Sequence, residues 1–155
     1  MRFCGILIIG FCIASIGFYI TNRLIQKSKQ LKNIVVLISQ IEQKIKYKKE
    51  TVSSVISSLC EKKEYKFLCS DSMDFKDMCF NNKDLYIDDE SKNSLYEFFC
   101  GLGKTDLNGQ MEHCCVYKNM FEKYCFKTDD DNKSKIKLYP SLFMLLGMLV
   151  VLILF

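Results

Sequence analysis

LYPSLFMLLGMLVVLILF, residues 138–155, carries no charged side chain. As a helix it would span about 27 Å, close to the ~30 Å hydrocarbon core of a bilayer. Lys133, Lys135 and Lys137 stand just before it, where their stems can reach back to lipid headgroups. Tyr139 falls at the expected interface, and Pro140 fits the first turn of a helix, where its missing N–H is not needed. A buried core helix can be as apolar, but it has no reason to carry a lysine cluster on one side only. The run reads as a membrane-spanning helix.

A second uncharged run, FCGILIIGFCIASIGFYI, occupies residues 3–20. Ser15-Ile16-Gly17 would serve as a signal-peptidase site, yet the run is longer than a usual signal core, so an uncleaved span is the better reading. Gly10 and Ala14, four apart, offer small residues for close helix approach. Of the 22 Lys and Arg, all but Arg2 lie between the two runs. Arg23, Lys27, Lys29 and Lys32 follow the first. The positive-inside rule then places the centre of the chain in the cytoplasm and both ends outside. This gives an N-terminal transmembrane helix (1–22), a cytoplasmic helical bundle (23–136) and a C-terminal transmembrane helix (137–155).

About 117 residues lie between the runs, enough for one small domain. A single Pro and seven Gly, with abundant Lys, Leu and Ile, favour an all-α fold. The net charge of +4 is modest and 18 acids are interspersed, so nucleic acid is excluded as a partner. Nine cysteines look at first like a disulfide framework, but the number is odd, no CxxC occurs and the spacings are irregular. Free thiols in a reducing compartment fit better.

The clearest periodicity is Leu24, Leu31, Ile38, Ile45, Val52 and Leu59, one every seven residues. Ile34, Ile41 and Val55 fill companion positions, while Lys27, Lys48 and Lys62 take the others. The pattern predicts an amphipathic helix continuous with the first span and contributing bundle core, too charged for a coiled-coil seam. Lys48-Lys49-Glu50-Thr51 interrupts it, with Thr51 as cap of a second helix. Residues 61–89 are poorly patterned and predict one or two short helices with loops. Residues 90–102 predict a helix closed by Gly103 in a left-handed conformation. Thr105 then caps the next helix, from about Asp106 to Phe126, with Asp106 at the positive end of its dipole. Thr128–Lys133, TDDDNK, reads as a loop or frayed turn.

Two motifs invite chemistry. Gly103-Lys104-Thr105 matches the end of a phosphate-binding loop, but the required upstream glycine is Phe98, and Ser94–Cys100 looks helical where a strand is needed. His113 with Cys100, Cys114 and Cys115 suggests a zinc site, yet neighbours on a helix point about 100° apart, and no paired spacing supports a tetrahedron. TDDD lacks calcium-loop spacing. No catalytic, cofactor or metal residues are assigned, and the chain is expected not to be an enzyme.

Taken together, these residues resemble a known family. They are Gly5 and Gly10 in the first run, Arg23-Leu24 after it, and LKNIVVLISQIEQKIKY at 31–47. FCGLGKTDLNGQ at 99–110, with Gly103, Thr105, Asp106 and Gln110, and Lys137-Leu138 entering a run with Gly147 complete the set. The pattern is similar to stage III sporulation protein AB of endospore-forming bacteria. Residues 61–85 have no counterpart in it.

The resemblance implies a two-span protein of the mother-cell (outer forespore) membrane, related to the inner-membrane platform protein of type II secretion. It also implies a platform and adaptor role, coupling a secretion-type ATPase, stage III sporulation protein AA, to the mother cell–forespore channel alongside other membrane subunits. Self-association is left open by the sequence. The alternative from another class is a signal-cleaved, cysteine-rich surface protein with a lipid-anchored C-terminus; the heptad stripe and the odd cysteine count weigh against it. In intact cells, a membrane-impermeant thiol reagent should leave Cys60, Cys69 and Cys79 unmodified. Rapid labelling of all three would overturn the cytoplasmic orientation.

Overall fold

The computed structural model describes residues 2–48, 52–60, 65, 68, 75–82 and 85–154. Five helices occur among them, and no strand: α1 (Arg2–Lys48), α2 (Val52–Cys60), α3 (Phe75–Phe80), α4 (Asp89–Gly101) and α5 (Leu107–Leu154). The predicted all-α class is the one observed. α1 carries the first apolar run and the amphipathic stretch as one helix; the interruption expected at Lys48–Thr51 falls mostly on residues 49–51, outside the described residues. Thr51, Lys62, Cys69 and the side chains of Cys4, Lys48 and Val52 lie outside the described residues.

The chain divides into two compact units. Residues 29–126 form one, and residues 1–28 with 127–155 form the other. The division differs from the boundaries expected at residues 22 and 137. The helices of the terminal unit pair beyond their uncharged runs, through polar residues that a hydropathy reading assigns to the bundle.

The bundle unit is built on the heptad stripe. Leu31, Ile34, Ile38, Ile41 and Ile45 of α1 are buried, joined by Leu37, which the seven-residue repeat does not reach. Val55 and Leu59 continue the stripe on α2. Leu95, Phe98 and Phe99 of α4 and Cys114 and Phe121 of α5 complete the core. Each such Leu, Ile or Phe stabilises by roughly 1.5–3 kcal/mol relative to exposure, so the core outweighs any single polar contact.

α3 is one short helix in the poorly patterned stretch. Its Met78 and Cys79 are buried. Phe75 stacks on Phe99 with centroids 5.4 Å apart, and Phe80 meets Tyr96 edge-on at 6.2 Å. These aromatic pairs tie α3 to α4 where periodicity gives no signal. The segment between them is pinned to α1, because the Tyr86 N–H donates to Gln30 Oε1 at 2.6 Å. Leu85 and Ile87 on either side turn into the core. α4 begins with Asp89 and Glu90 in its first turn, favourably placed at the positive end of the dipole.

An Asp at position 38 would bury an unpaired charge. Ile38→Asp should therefore cost the bundle roughly 3–5 kcal/mol, enough to unfold it. Val36, half exposed on the same helix, is the matched control, and Val36→Asp should change stability by no more than about 0.5 kcal/mol. Thermal melting of the detergent-solubilised chain, followed by circular dichroism, checks both. Equal melting of the two variants would mean the stripe is not core.

Candidate functional site

Two features stand out from the helical scaffold: the pairing of the terminal helices and the corner between α4 and α5. The first lies within the terminal unit. Gly10 and Gly17 of α1 are buried, as is Gly147 of α5. A Cβ added at Gly147 would stand 2.9 Å from the carbonyl oxygen of Gly10, and one added at Gly10 would meet Val151 at 2.6 Å. One added at Gly17 would meet Phe143 at 2.6 Å. The pairs 10/147 and 17/143 run in opposite directions, so the helices are antiparallel. Sequence reading pairs Gly10 with Ala14, whereas the structure pairs Gly10 with Gly17. Two helical turns separate residues seven apart, which keeps both on the face that meets α5.

Further along, the same interface becomes polar. Asn132 Nδ2 donates to the Leu24 carbonyl at 3.3 Å, and the Ser28 hydroxyl donates to an Asp129 carboxylate oxygen. Thr21 and Thr128 are buried there too, and the Thr21 hydroxyl donates back to the Gly17 carbonyl at 2.9 Å. This corrects the expectation of a loop at TDDDNK. Thr128, Asp129 and Asn132 share one helical face, and the side chains of Asp129 and Asn132 find partners across the interface rather than on their own backbone. The local competition that usually breaks helices at such residues is thereby removed.

Pro140 is likewise corrected. It lies inside α5, not in a first turn. Its ring leaves the carbonyl four residues back, at Ile136, without a helical partner. That carbonyl falls among the exposed Lys133, Lys135 and Lys137, at a level where water can satisfy it. Leu107–Leu154 contains an 18-residue window apolar enough to cross a membrane that is 6% buried, and the N-terminal helix contains one that is 11% buried. Core helices would bury most of such a window.

The corner is the second feature. Leu102 is extended at φ −62°, ψ 134°, and Gly103 has φ 81°. The Lys104 N–H donates to the Gly101 carbonyl at 3.4 Å. This is a type II turn, with Gly103 at the position that requires positive φ. The extended Leu102 takes its side chain into the core, which a helical C-cap would not do. Asp106, not Thr105, is the N-cap of α5: its Oδ1 accepts from the Gly109 N–H at 3.0 Å. Thr105 contributes its backbone, whose carbonyl accepts from Gln110 Nε2 at 2.9 Å. The cap moves one residue because Asp106 lies three before Gly109, the spacing its side chain needs.

Behind the turn, His113 stacks on Phe98 with centroids 5.5 Å apart, and its Nε2 lies 3.0 Å from the Phe98 carbonyl. The imidazole is thus a packing element of the corner. Lys104 is exposed. Ser94–Cys100 is helical as predicted, so no strand leads into GKT.

Cys12, Cys60, Cys79, Cys100, Cys114, Cys115 and Cys125 are free thiols. Among the described residues no group of three or more His, Cys, Asp and Glu is placed to hold a metal. Burial, with Cys100 nearby, pushes the Cys79 thiol up to about 12. Burial, then Glu42 and Cys115, raises Cys114 to about 11. Both resist alkylation wherever they lie, because the thiolate is the reactive form. Cys79 is therefore a poor topology reporter, and exposed Cys115 is the better one. Burial and the Glu97 carboxylate, which accepts from the Tyr117 hydroxyl at 3.3 Å, raise the Tyr117 phenol.

The family model for stage III sporulation protein AB matches residues 2–71 and 75–155. The chain belongs to that family. The match takes in most of residues 61–85, which the motif resemblance left without a counterpart. Searches of curated proteins and of solved structures return no match. Family membership gives the chain a role in stage III of sporulation, and its two long apolar helices are consistent with a membrane protein.

The corner geometry sets an order of effects. Gly103→Val forces positive φ on a branched residue and should cost about 1–3 kcal/mol. Asp106→Ala should cost about 1 kcal/mol, and Thr105→Ala much less, since its carbonyl bond survives. Lys104→Ala should be silent. Melting temperatures of the four variants test the order; a larger loss at Thr105 than at Asp106 would return the cap to Thr105.

Proposed function

We propose that this chain is a non-enzymatic platform and adaptor subunit of a secretion-like complex in the mother-cell (outer forespore) membrane. Its bundle unit lies in the cytoplasm and its two paired helices cross the bilayer. In this role it couples the ATPase stage III sporulation protein AA to the mother cell–forespore channel and contacts other membrane subunits.

The observation that carries the reading is the pairing of two membrane-length helices whose intervening sequence folds into its own core. Basic residues after the first span and before the second support the cytoplasmic placement. The free thiols suit a reducing compartment and count against the lipid-anchored surface protein. The GKT corner supports a structural role, since the turn and cap account for its residues.

The test is affinity capture of the full chain, mildly solubilised from sporulating cells. The ATPase should be retained, and the purified chain alone should hydrolyse no ATP. Capture of the other membrane subunits without the ATPase would refute the coupling. ATP hydrolysis by the chain alone, abolished by Lys104→Ala, would replace the adaptor with an enzyme.

A further inference from the structure

Charge is sorted by helix in the bundle unit. Residues 29–48 of α1 carry five lysines against one acid, Glu42. α4 with its preceding residue, 88–101, carries four acids against one lysine, Lys92. The bundle part of α5, residues 107–126, is balanced at two of each. We propose that this sorting makes a contact between copies of the chain: the acidic face of α4 on one copy docks against the lysine face of α1 on the next. The proposal rests on the membrane-anchored reading given above.

Each face is built for contact. Lys29, Val36 and Gln43 recur every seven residues, and with Lys32 and Tyr47 they form one exposed stripe along α1. Val36 and Tyr47 are 49% and 75% exposed, so the stripe offers apolar surface between its charges. On α4, Glu90, Asn93 and Glu97 share the exposed face. α5 holds both carboxylates in place: the Tyr124 hydroxyl donates to Glu90 Oε1 and the Tyr117 hydroxyl to Glu97 Oε2, each at 3.3 Å. Side chains already fixed lose less freedom on association, and each carboxylate keeps lone pairs for a further donor.

Height selects a second copy as the partner. The Tyr86 N–H donates to Gln30 Oε1 at 2.6 Å, which puts the approach to α4 beside the start of the lysine stripe. Tyr124, which holds Glu90, stands two residues from the end of the bundle unit at Phe126, and Lys29 opens that unit. Both charges therefore lie at one end of the bundle. Copies anchored in one bilayer share their height, so Glu90 of one copy stands at the level of Lys29 of its neighbour. Gln30 points about 100° away from Lys29 around α1, so the contact with Tyr86 leaves the lysine stripe facing outward. A purely acidic partner would answer the lysines and leave the α4 carboxylates unmatched, whereas a second copy answers both.

The test uses the full chain in phosphatidylcholine vesicles, as an equal mixture of unlabelled and heavy-nitrogen-labelled copies. A zero-length carbodiimide joins lysine amines to carboxylates in contact, and mass spectrometry reads the linked peptides. Lys29 should be joined to Glu90 or its neighbour Asp89 in peptides carrying one label of each kind. Energy transfer between donor- and acceptor-labelled chains then measures association in the same vesicles. Lys29→Glu and Glu90→Lys should each weaken it about tenfold. Lys29→Glu with Glu90→Lys in one chain should restore it, which a folding defect at either position would not allow. Glu112→Lys, the same charge change about three turns along α5 from Tyr124, should leave association unchanged.

Links confined to peptides of a single label would overturn the proposal, because the lysines would then be meeting their own chain. So would monomeric chains in the vesicles, which would leave the lysines to another acidic surface. An equal loss with Glu112→Lys, or no recovery in the double variant, would reduce the effect to net charge and overturn it as well. Release of the parent chain from membranes by alkaline carbonate would remove the shared height, and would show that the membrane reading itself had failed, separately from the contact.

Discussion

Gly10 and Gly147 meet backbone to backbone, and the terminal unit depends on that approach. Within a bilayer, apolar side chains gain nothing by leaving lipid for one another, so helices associate through close packing and interhelical hydrogen bonds. A Cβ at Gly147 would stand 2.9 Å from a backbone oxygen, which cannot swing aside as a side chain can. The crossing is therefore specified by the absence of two side chains. It sets the register that brings Leu24 opposite Asn132 and Ser28 opposite Asp129. The same register draws Arg23 and Lys27 toward the end of the hairpin that carries Lys133, Lys135 and Lys137. A basic collar follows from pairing as well as from the charge bias of each helix.

Much of this was legible in the sequence, and several of the misses share a cause. The heptad stripe at Leu31, Ile38, Ile45 and Leu59 was readable because burial on one face imposes its period on residue type. The α4–α5 corner was readable because positive φ and capping restrict residue choice locally. The cap moved by one residue to Asp106 for a local reason; elsewhere a distant partner overrides local propensity. TDDDNK is polar enough to break a helix on its own, and Asn132 and Asp129 reverse that through partners more than a hundred residues away. Pro140 carries the usual mark of a helix start, yet the helix runs through it. α3 has no periodic signature; its place follows from Phe75 and Phe80 meeting aromatics of α4.

The corner shows why a motif needs its context. GKT follows a helix and a type II turn, Gly103 is there for its φ, and the cap is Asp106. Gly103 and Asp106 have structural tasks that need no phosphate, while Lys104 and Thr105 contribute only their backbones. In this member of a stage III sporulation family, the corner follows from its turn and its cap, beside a packed helical core and a pair of long apolar helices.

Cross-linking within native membranes tests the antiparallel pairing most directly. In a chain whose native cysteines are replaced by alanine, Ser28→Cys with Asp129→Cys should be joined within one molecule by a short bifunctional maleimide. Ser28→Cys with Ser141→Cys, displaced by about 18 Å along α5, should not. Failure of the first pair, or linkage of both with equal yield, would contradict the hairpin on which this account rests.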